Sequence, residues 1–263
     1  MMNIVVCIKV VMDPEAPLST FRVEPGAQRA SWSQGVPPVL NPYDENALEA
    51  ALRIKEVSPS KIIVLSLGKE VPKAVIKRAL AVGADELLLL EDDEFENLDG
   101  FGTAYALAAA IKRIGEYSLI LTGRMAADTN AGLVGPGIAE ILGIPSITFV
   151  KRIELADGKI RAEQVLSHGY QVSEVAPPVL MTVSHELGTL RSASVQDIVA
   201  ARKKPFVAWH ATDLGLQLST IARSRIVSLF IPEKKTNCKI IQGETPDELG
   251  ANLAIKLREL KII

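Results

Sequence analysis

The stretch from residue 123 to residue 145, GRMAADTNAGLVGPGIAEILGIP, carries the residues best suited to hold a ligand. Gly132, Gly135 and Gly137 stand near the predicted start of a helix, where they let backbone or ligand approach closely. Free N–H groups at a helix N-terminus favour an anion such as phosphate. The polar triplet 128–130 can bond a ribose or an adenine, but it can also cap the helix. These residues alone leave a phosphate-binding loop and a capped turn equally open.

Other nucleotide motifs do not occur in the sequence. The loop after the first predicted strand, KVVMDPEAP, has no glycine, so the dinucleotide fingerprint fails, and no GxxxxGK[ST] sequence is found. Pro136 falls in the first turn of the predicted helix, where a proline removes no helical hydrogen bond. A nucleotide bound by this chain must therefore be held in another way.

Catalytic and metal-binding patterns are also missing from the sequence. His168, His185 and His210 are scattered, and none has ligand spacing with a cysteine or carboxylate. Neither a Ser-His-Asp nor a Cys-His arrangement has a recognisable local context. The sequence is therefore interpreted as that of a binding protein rather than of an acid–base catalyst.

Composition sets the broad class of the protein. The chain has 263 residues and a formal net charge of −2, so no overall field attracts nucleic acid or an anionic membrane. No apolar run reaches the roughly 18 residues of a spanning helix, and MMNIVVCIKV lacks the features of a signal peptide. Cys7 and Cys238 are far apart in sequence. We expect a cytoplasmic protein without structural disulfides.

Short apolar runs alternate with helical patterns through the first 150 residues. Runs that read as strands lie at 3–9, 61–68, 86–91, 117–123 and 145–150. Helical spacing is found at 43–56, 71–84, 101–115 and after residue 130. Because these strands are apolar on both faces, we predict an α/β fold with a mostly parallel sheet covered by helices on both sides.

The pattern changes after residue 150. Polar and apolar residues alternate up to residue 177, and Asp157-Gly158 predicts a hairpin turn. The run 178–183 is apolar enough to return to the central sheet, and 185–205 combines a polar loop with a short helix. The last 58 residues hold a strand-like run at 226–231 and a final helix from 246. This tail is too thin for a core of its own, so we expect it to pack on the main domain or on another chain.

Five ordered blocks resemble the β subunit of electron transfer flavoprotein (the FixA/EtfB family). They are VVCIKVVMD, NPYDENALEAALRIKE, VLSLG, GRMAADTNAGLVGPGIAEILGIP and ELGTLRSASVQDIVAARKKP, and the similarity continues through DLGL to the final helix. The resemblance implies an adenine nucleotide alpha hydrolase-like fold. It divides the chain into a nucleotide-binding domain at 1–184, a partner-recognition loop and helix at 185–205, and an arm against the α subunit at 206–263.

The resemblance also implies the cofactors and the partners. Family members form a heterodimer with an α subunit that carries a redox-active FAD, and the β subunit binds AMP structurally. Electrons come from acyl-CoA dehydrogenases and pass to a membrane quinone oxidoreductase or another acceptor. Matched residue by residue, the nucleotide contacts fall on Cys7, Asn41, Pro42, Tyr43, Asp44, Leu67, Gly123, Arg124, Met125, Ala126, Ala127, Asp128, Thr129, Asn130, Ala131, Gly132, Leu133 and Val134.

Partner contacts follow from the same resemblance. Tyr43 occupies a position where family members carry an aromatic residue near the flavin ring. Val195 stands where a leucine commonly enters the pocket of the partner dehydrogenase, and Leu190, Arg191 and Ile198 belong to the same docking set. Gln171 replaces a glutamate that is common at the subunit contact.

The sequence departs from the AMP-binding pattern at one point. Typical members have Asn, Gln and Thr where this chain has Gly132, Leu133 and Val134. The valine is also similar to electron-bifurcating relatives, which bind a second FAD in place of AMP and oxidise NADH, whereas Tyr43 is more similar to non-bifurcating members. AMP is the first expectation and a second FAD the alternative. A stand-alone nucleotide-binding sensor with the same α/β core is a third interpretation, which the long tail and the segment 185–205 disfavour.

Overall fold

The computed structural model describes residues 1–23, 30–32, 35–217, 221–231 and 238–263. Among these residues, nine strands form one sheet in the order β11-β10-β9-β12-β8-β1-β6-β7-β13. These strands are β1 (Met2–Cys7), β6 (Ser60–Gly68), β7 (Glu86–Glu91), β8 (Leu119–Gly123), β9 (Ser146–Ala156), β10 (Lys159–Leu166), β11 (Gly169–Val175), β12 (Val179–Val183) and β13 (Phe206–Trp209). Two small antiparallel pairs join β2 (Val10–Met12) to β5 (Pro38–Leu40) and β3 (Phe21–Arg22) to β4 (Ser31–Trp32).

The sheet is parallel from β9 to β13, which confirms the predicted α/β class. Within this sheet, as far as the structure describes it, antiparallel pairing joins β9 to β10 and β10 to β11. Asp157 and Gly158 both have positive φ angles, 49° and 76°, so they form the tight hairpin turn expected between β9 and β10. As predicted, β12 returns to the centre of the sheet, between β8 and β9.

Helices cover the two faces of the sheet. They are α1 (Pro42–Val57), α2 (Lys73–Ile76), α3 (Arg78–Val82), α4 (Gly100–Ile114), α5 (Val134–Leu142) and α6 (Val195–Ala201). A further helix, α7 (Pro246–Glu259), belongs to a separate compact unit. Successive residues of each central strand alternate between two apolar clusters, so that Ile4 and Val6 join the cluster of α1 while Val5 and Cys7 join that of α4 and α5. Strands buried on both faces explain the continuous apolar runs of the sequence.

Two predicted elements were wrong. The single helix expected at 71–84 is divided at Lys77, where a ψ of −15° tightens the turn towards a 3₁₀ geometry. The strand-like run 226–231 is not a strand; Val227 and Phe230 have exposed side chains and no ladder partner among the described residues. Instead, β13, a strand that was not predicted from the sequence, extends the sheet beside β7.

Two compact units divide the chain, residues 1–229 and 230–263. The first contains the whole nine-stranded sheet of the described residues. The second contains α7, which begins with Pro246 and is capped by Thr245, whose side chain accepts a hydrogen bond from the Glu248 amide. No helix among the described residues is long and apolar enough to cross a membrane.

Close packing between α4 and α5 depends on Gly137. A Cβ atom at this position would lie 2.9 Å from the Cβ of Ala104. We predict that Gly137→Ala pushes the two helices apart and lowers the free energy of unfolding by about 1–3 kcal/mol. Gly250→Ala is the control, because a Cβ there meets nothing within 4 Å and alanine favours a helix. Urea unfolding of both variants measures the difference, and equal stability would contradict the packing argument.

Candidate functional site

The candidate site lies where β1 and β8 end and where α1 and α5 begin. β1 and β8 are parallel neighbours, with Cys7 paired to Thr122 near their carboxyl ends. Ligands of open α/β sheets bind outside this edge. The 123–134 stretch predicted from the sequence leaves the sheet here, directly after β8.

Asp44 joins three elements at this edge. One oxygen of its carboxyl group, Oδ1, accepts from the Gly123 amide at 2.9 Å, and the other, Oδ2, accepts from the Lys9 amide at 2.7 Å. Gly123 has no room for a side chain, since a Cβ would lie 2.5 Å from Asp44 Oδ1. The Asp44 carboxyl group therefore fixes α1 against the ends of β1 and β8.

Asn41 holds the next part of the loop. Its Oδ1 accepts from the Ala127 amide at 3.0 Å, and its Nδ2 donates to the Met125 carbonyl at 2.9 Å. Asn41 is also the N-cap residue of α1, yet its side chain makes no cap hydrogen bond. Buried Asn41 thus orders residues 123–127 rather than the start of its own helix.

Arg124 adds a positive charge beside Tyr43. Its guanidinium lies 4.7 Å from the centre of the Tyr43 ring, and Nη2 donates to Tyr43 Oη at 3.3 Å. The Arg124 backbone amide donates to the Val183 carbonyl at 3.0 Å, which fixes the chain after β8. The Nε atom of Arg124 is buried, and no hydrogen-bond partner for it exists within the described part of the chain. A buried N–H group without a partner can donate a hydrogen bond to an acceptor atom of a ligand.

The start of α5 has no side-chain cap. Leu133 is the N-cap residue and makes no cap hydrogen bond with its side chain. Asp128 instead pairs with Lys9 at 2.6 Å, while the exposed residues Thr129 and Asn130 close a turn onto the Ala126 carbonyl. The triplet 128–130 therefore does not cap the helix, and of the two interpretations left open by the sequence the capped turn is wrong.

The surface at this helix start is apolar. Leu133 is 62% exposed, and the first turn of α5 contains no acidic residue. The positive φ of 64° at Gly132 turns the chain into the helix. Pro136 lies within the first turn of α5, as expected. Backbone N–H groups are therefore the donors that the helix start itself can offer.

The remaining residues predicted to contact the nucleotide differ in how exposed they are to solvent. Cys7 is buried at the end of β1, and burial, helped by the nearby Asp44 carboxylate, raises the pKa of its thiol. Leu67 is half-buried near the end of β6, while Pro42 and Ala131 are exposed. Lys9 was not predicted, although its amide and its ammonium group contact Asp44 and Asp128. Its position at the end of the first predicted strand, 3–9, was the signal available in the sequence.

Residues 185–205, here called the recognition segment, present an apolar surface on α6. Val195 is 77% exposed, and Ile198 and Val199 are also exposed. α6 begins with a capping box in which Ser194 and Asp197 exchange hydrogen bonds. Of the predicted docking set, Leu190 is buried in the main core and Arg191 is held by Glu49 and Glu56. Val195 and Ile198 are the members that reach the surface.

Gln171 lies on β11, the edge strand of the antiparallel extension. Its side chain is exposed, and its Nε2 donates to Ser173 Oγ at 3.2 Å. Tyr170, which is also exposed, lies under the Lys151 ammonium group, 3.9 Å from the ring centre.

Stability should depend on pH through Asp44. Burial raises the pKa of Asp44 from 3.8 to about 7, against the opposing effect of its hydrogen bonds. A raised pKa means that the folded chain keeps a proton that the unfolded chain has lost, so the contribution of Asp44 to stability is complete below pH 3.8 and is lost as the pH rises through about 7. We predict that the free energy of unfolding relative to Asp44→Asn falls by up to about 1.4 kcal/mol per pH unit across this window. Urea titrations at several pH values measure it, and parallel pH profiles would contradict it.

Comparison with known proteins identifies the family. The electron transfer flavoprotein domain matches residues 33–214, a range that contains Asn41, Asp44, the 123–134 stretch and the recognition segment. Caffeyl-CoA reductase-Etf complex subunit CarD of Acetobacterium woodii is 36% identical over 267 residues, with 100% of both chains covered. The electron transfer flavoprotein subunit beta of Clostridium acetobutylicum is 36% identical over 264 residues, with 98% of both chains covered.

A third relative is a FixA protein. Protein FixA of Azorhizobium caulinodans is 36% identical over 223 residues, covering 82% of this chain and 78% of the relative. The matched range and the full-length similarity agree with the five blocks quoted above and assign an electron-transfer role. The chain belongs to the electron transfer flavoprotein family, among its β-subunit and FixA members.

Proposed function

We propose that this chain is the β subunit of an electron transfer flavoprotein heterodimer and holds an adenine nucleotide at the edge formed by Asn41, Asp44 and residues 123–134. One observation carries the proposal: α5 starts without a side-chain cap beside a rigidly held loop. Its N–H groups and the helix dipole are therefore available to a phosphate. The Arg124 guanidinium adds a positive charge and a free donor nearby.

AMP is the nucleotide that the family resemblance implies first. A second FAD is the alternative, and the apolar start of α5 favours it. AMP ends in a doubly charged phosphate, and Gly132, Leu133 and Val134 offer it no polar side chain. A dinucleotide continues beyond its phosphates and can cover the exposed Leu133 side chain with its own apolar surface.

The proposed redox partner acts on a CoA thioester. Exposed Val195 and Ile198 on α6 form a docking surface of the kind the resemblance assigns to an acyl-CoA dehydrogenase. One relative is named as a subunit of a caffeyl-CoA reductase-Etf complex, which supports a CoA-linked flavoenzyme as the partner. Electrons then pass through the FAD of the α subunit to a quinone oxidoreductase or another acceptor. Residues 206–263 supply the arm that contacts the α subunit.

The cofactors can be determined on the purified heterodimer. We expect one adenine nucleotide per β chain in addition to the FAD of the α subunit. Denaturation followed by chromatography measures both: one FAD with one AMP per heterodimer establishes the AMP form, and two FAD without AMP establishes the bifurcating form. A heterodimer with one FAD and no other adenine nucleotide would contradict the proposed site.

Nucleotide binding and docking should be separable by mutation. Asn41→Ala removes two hydrogen bonds that order residues 123–127, each worth on the order of 1 kcal/mol, so nucleotide occupancy should fall several-fold. Asn3→Ala is the matched control, because Asn3 bonds the Glu116 carbonyl at the opposite end of β1.

Val195→Ala should give the reverse result. Truncating this exposed side chain should lower the rate of electron exchange with the flavoenzyme partner several-fold and leave the nucleotide content unchanged. The measurement is the rate at which the partner flavoenzyme, loaded with its substrate, reduces the heterodimer. Normal electron exchange in Val195→Ala would count against the docking assignment.

A further inference from the structure

Helix α1 contacts the recognition segment as well as the nucleotide edge. Asn46 Nδ2 donates to the Gly188 carbonyl, and an Arg53 guanidinium N–H donates to the Leu187 carbonyl at 2.9 Å. Asn46, Glu49, Arg53 and Glu56 follow one another at helical spacing, so they share one side of α1. The recognition segment is therefore fixed to the helix whose first turn carries Asp44.

The strongest of these contacts is the pair of Glu49 and Arg191. Glu49 is only 4% exposed, and its two carboxylate oxygens accept from Arg191 Nη2 and Nε at 3.0 Å each. The Arg191 backbone amide and Arg53 Nε also donate to this carboxylate. Burial opposes the charge of Glu49, but these hydrogen bonds hold its pKa below the usual value. A bidentate arginine–carboxylate contact fixes the relative orientation of the two side chains as well as the distance between them.

The other end of the recognition segment is also held. Lys204 Nζ donates to the Leu80 and Ala84 carbonyls, at 2.8 and 2.6 Å, near the C-terminus of α3. The exposed apolar surface of Val195 and Ile198 lies between these two attachments. Such fixed ends keep a docking surface in one orientation.

We propose that Glu49 and Arg191 are positioning residues for electron exchange, because their buried pair sets the orientation of α6 towards the flavoenzyme partner. The inference rests on the docking role proposed for Val195. Neither Glu49 nor Arg191 needs to touch the partner: Glu49 is buried, and Arg191 uses its guanidinium on Glu49 and Glu56. Small displacements of positioning groups can strongly reduce the rate of a reaction that depends on geometry.

Glu49→Gln tests the pair directly in the heterodimer. The amide Nε2 then places a donor where Arg191 needs an acceptor. Amide hydrogen exchange followed by mass spectrometry should become at least tenfold faster in residues 188–201 and stay unchanged in residues 119–127. Glu45→Gln is the matched control on the same helix, since Glu45 pairs with Arg78, which is not a residue of the recognition segment.

Kinetics test the consequence for the partner. Glu49→Gln should raise the KM of the substrate-loaded flavoenzyme for the heterodimer about tenfold, with unchanged FAD and nucleotide content, whereas Glu45→Gln should behave as wild type. In a double-mutant cycle, the combined effect of Glu49→Gln and Arg191→Gln should be smaller than the sum of the two single effects, because both changes remove the Glu49–Arg191 interaction. Additive effects in the cycle would overturn the pair as the positioning unit.

Two outcomes separate this inference from the docking proposal. If Val195→Ala raises the KM and Glu49→Gln does not, the positioning role is overturned and docking stands. If neither variant changes the KM, the docking assignment fails and the positioning role fails with it. Unchanged hydrogen exchange of residues 188–201 in Glu49→Gln also overturns the positioning role, whatever the kinetics show.

Discussion

The buried Asp44 carboxyl group is the interaction on which the candidate site depends. It satisfies amides of Lys9 and Gly123 at the ends of two parallel strands, and it does so from the first turn of α1. A buried carboxyl group is costly unless it is protonated or hydrogen-bonded. Asp44 has both features: two backbone amides donate hydrogen bonds to it, and burial raises its pKa to about 7, so that it keeps a proton more readily. Because Gly123 leaves no room for a side chain, the strand end and the helix meet at a fixed distance.

Helix α1, which carries Asp44, contacts two regions to which a function is proposed. Its first residues, Asn41 to Asp44, order the loop that leads to the uncapped start of α5. Its later turns, through Glu49 and Arg53, hold the recognition segment. The proposed nucleotide site and the proposed docking surface are thus built on one rigid element of 16 residues. In the proposal made above, the phosphate of the nucleotide completes the start of α5, which has no side-chain cap.

Much of the fold followed from local patterns, whereas the site depended on contacts between distant residues. The parallel strands were predictable because each is apolar on both faces, and the Asp157-Gly158 turn because its residues favour positive φ. The 128–130 triplet could not be interpreted alone, since capping and ligand binding use the same side chains. Only the structure shows that Asp128 pairs with Lys9 and that Leu133 begins the helix without a cap. Likewise, no local pattern links Glu49 to Arg191, which lie 142 positions apart.

The central claim is that a nucleotide phosphate occupies the uncapped start of α5. A crystal structure of the heterodimer purified with its natural cofactors tests this claim most directly. We predict a phosphate group whose oxygens accept hydrogen bonds from the backbone amides of Val134 and Gly135. Density for the nucleotide at another place, or an α5 start capped only by water in a fully loaded heterodimer, would contradict it.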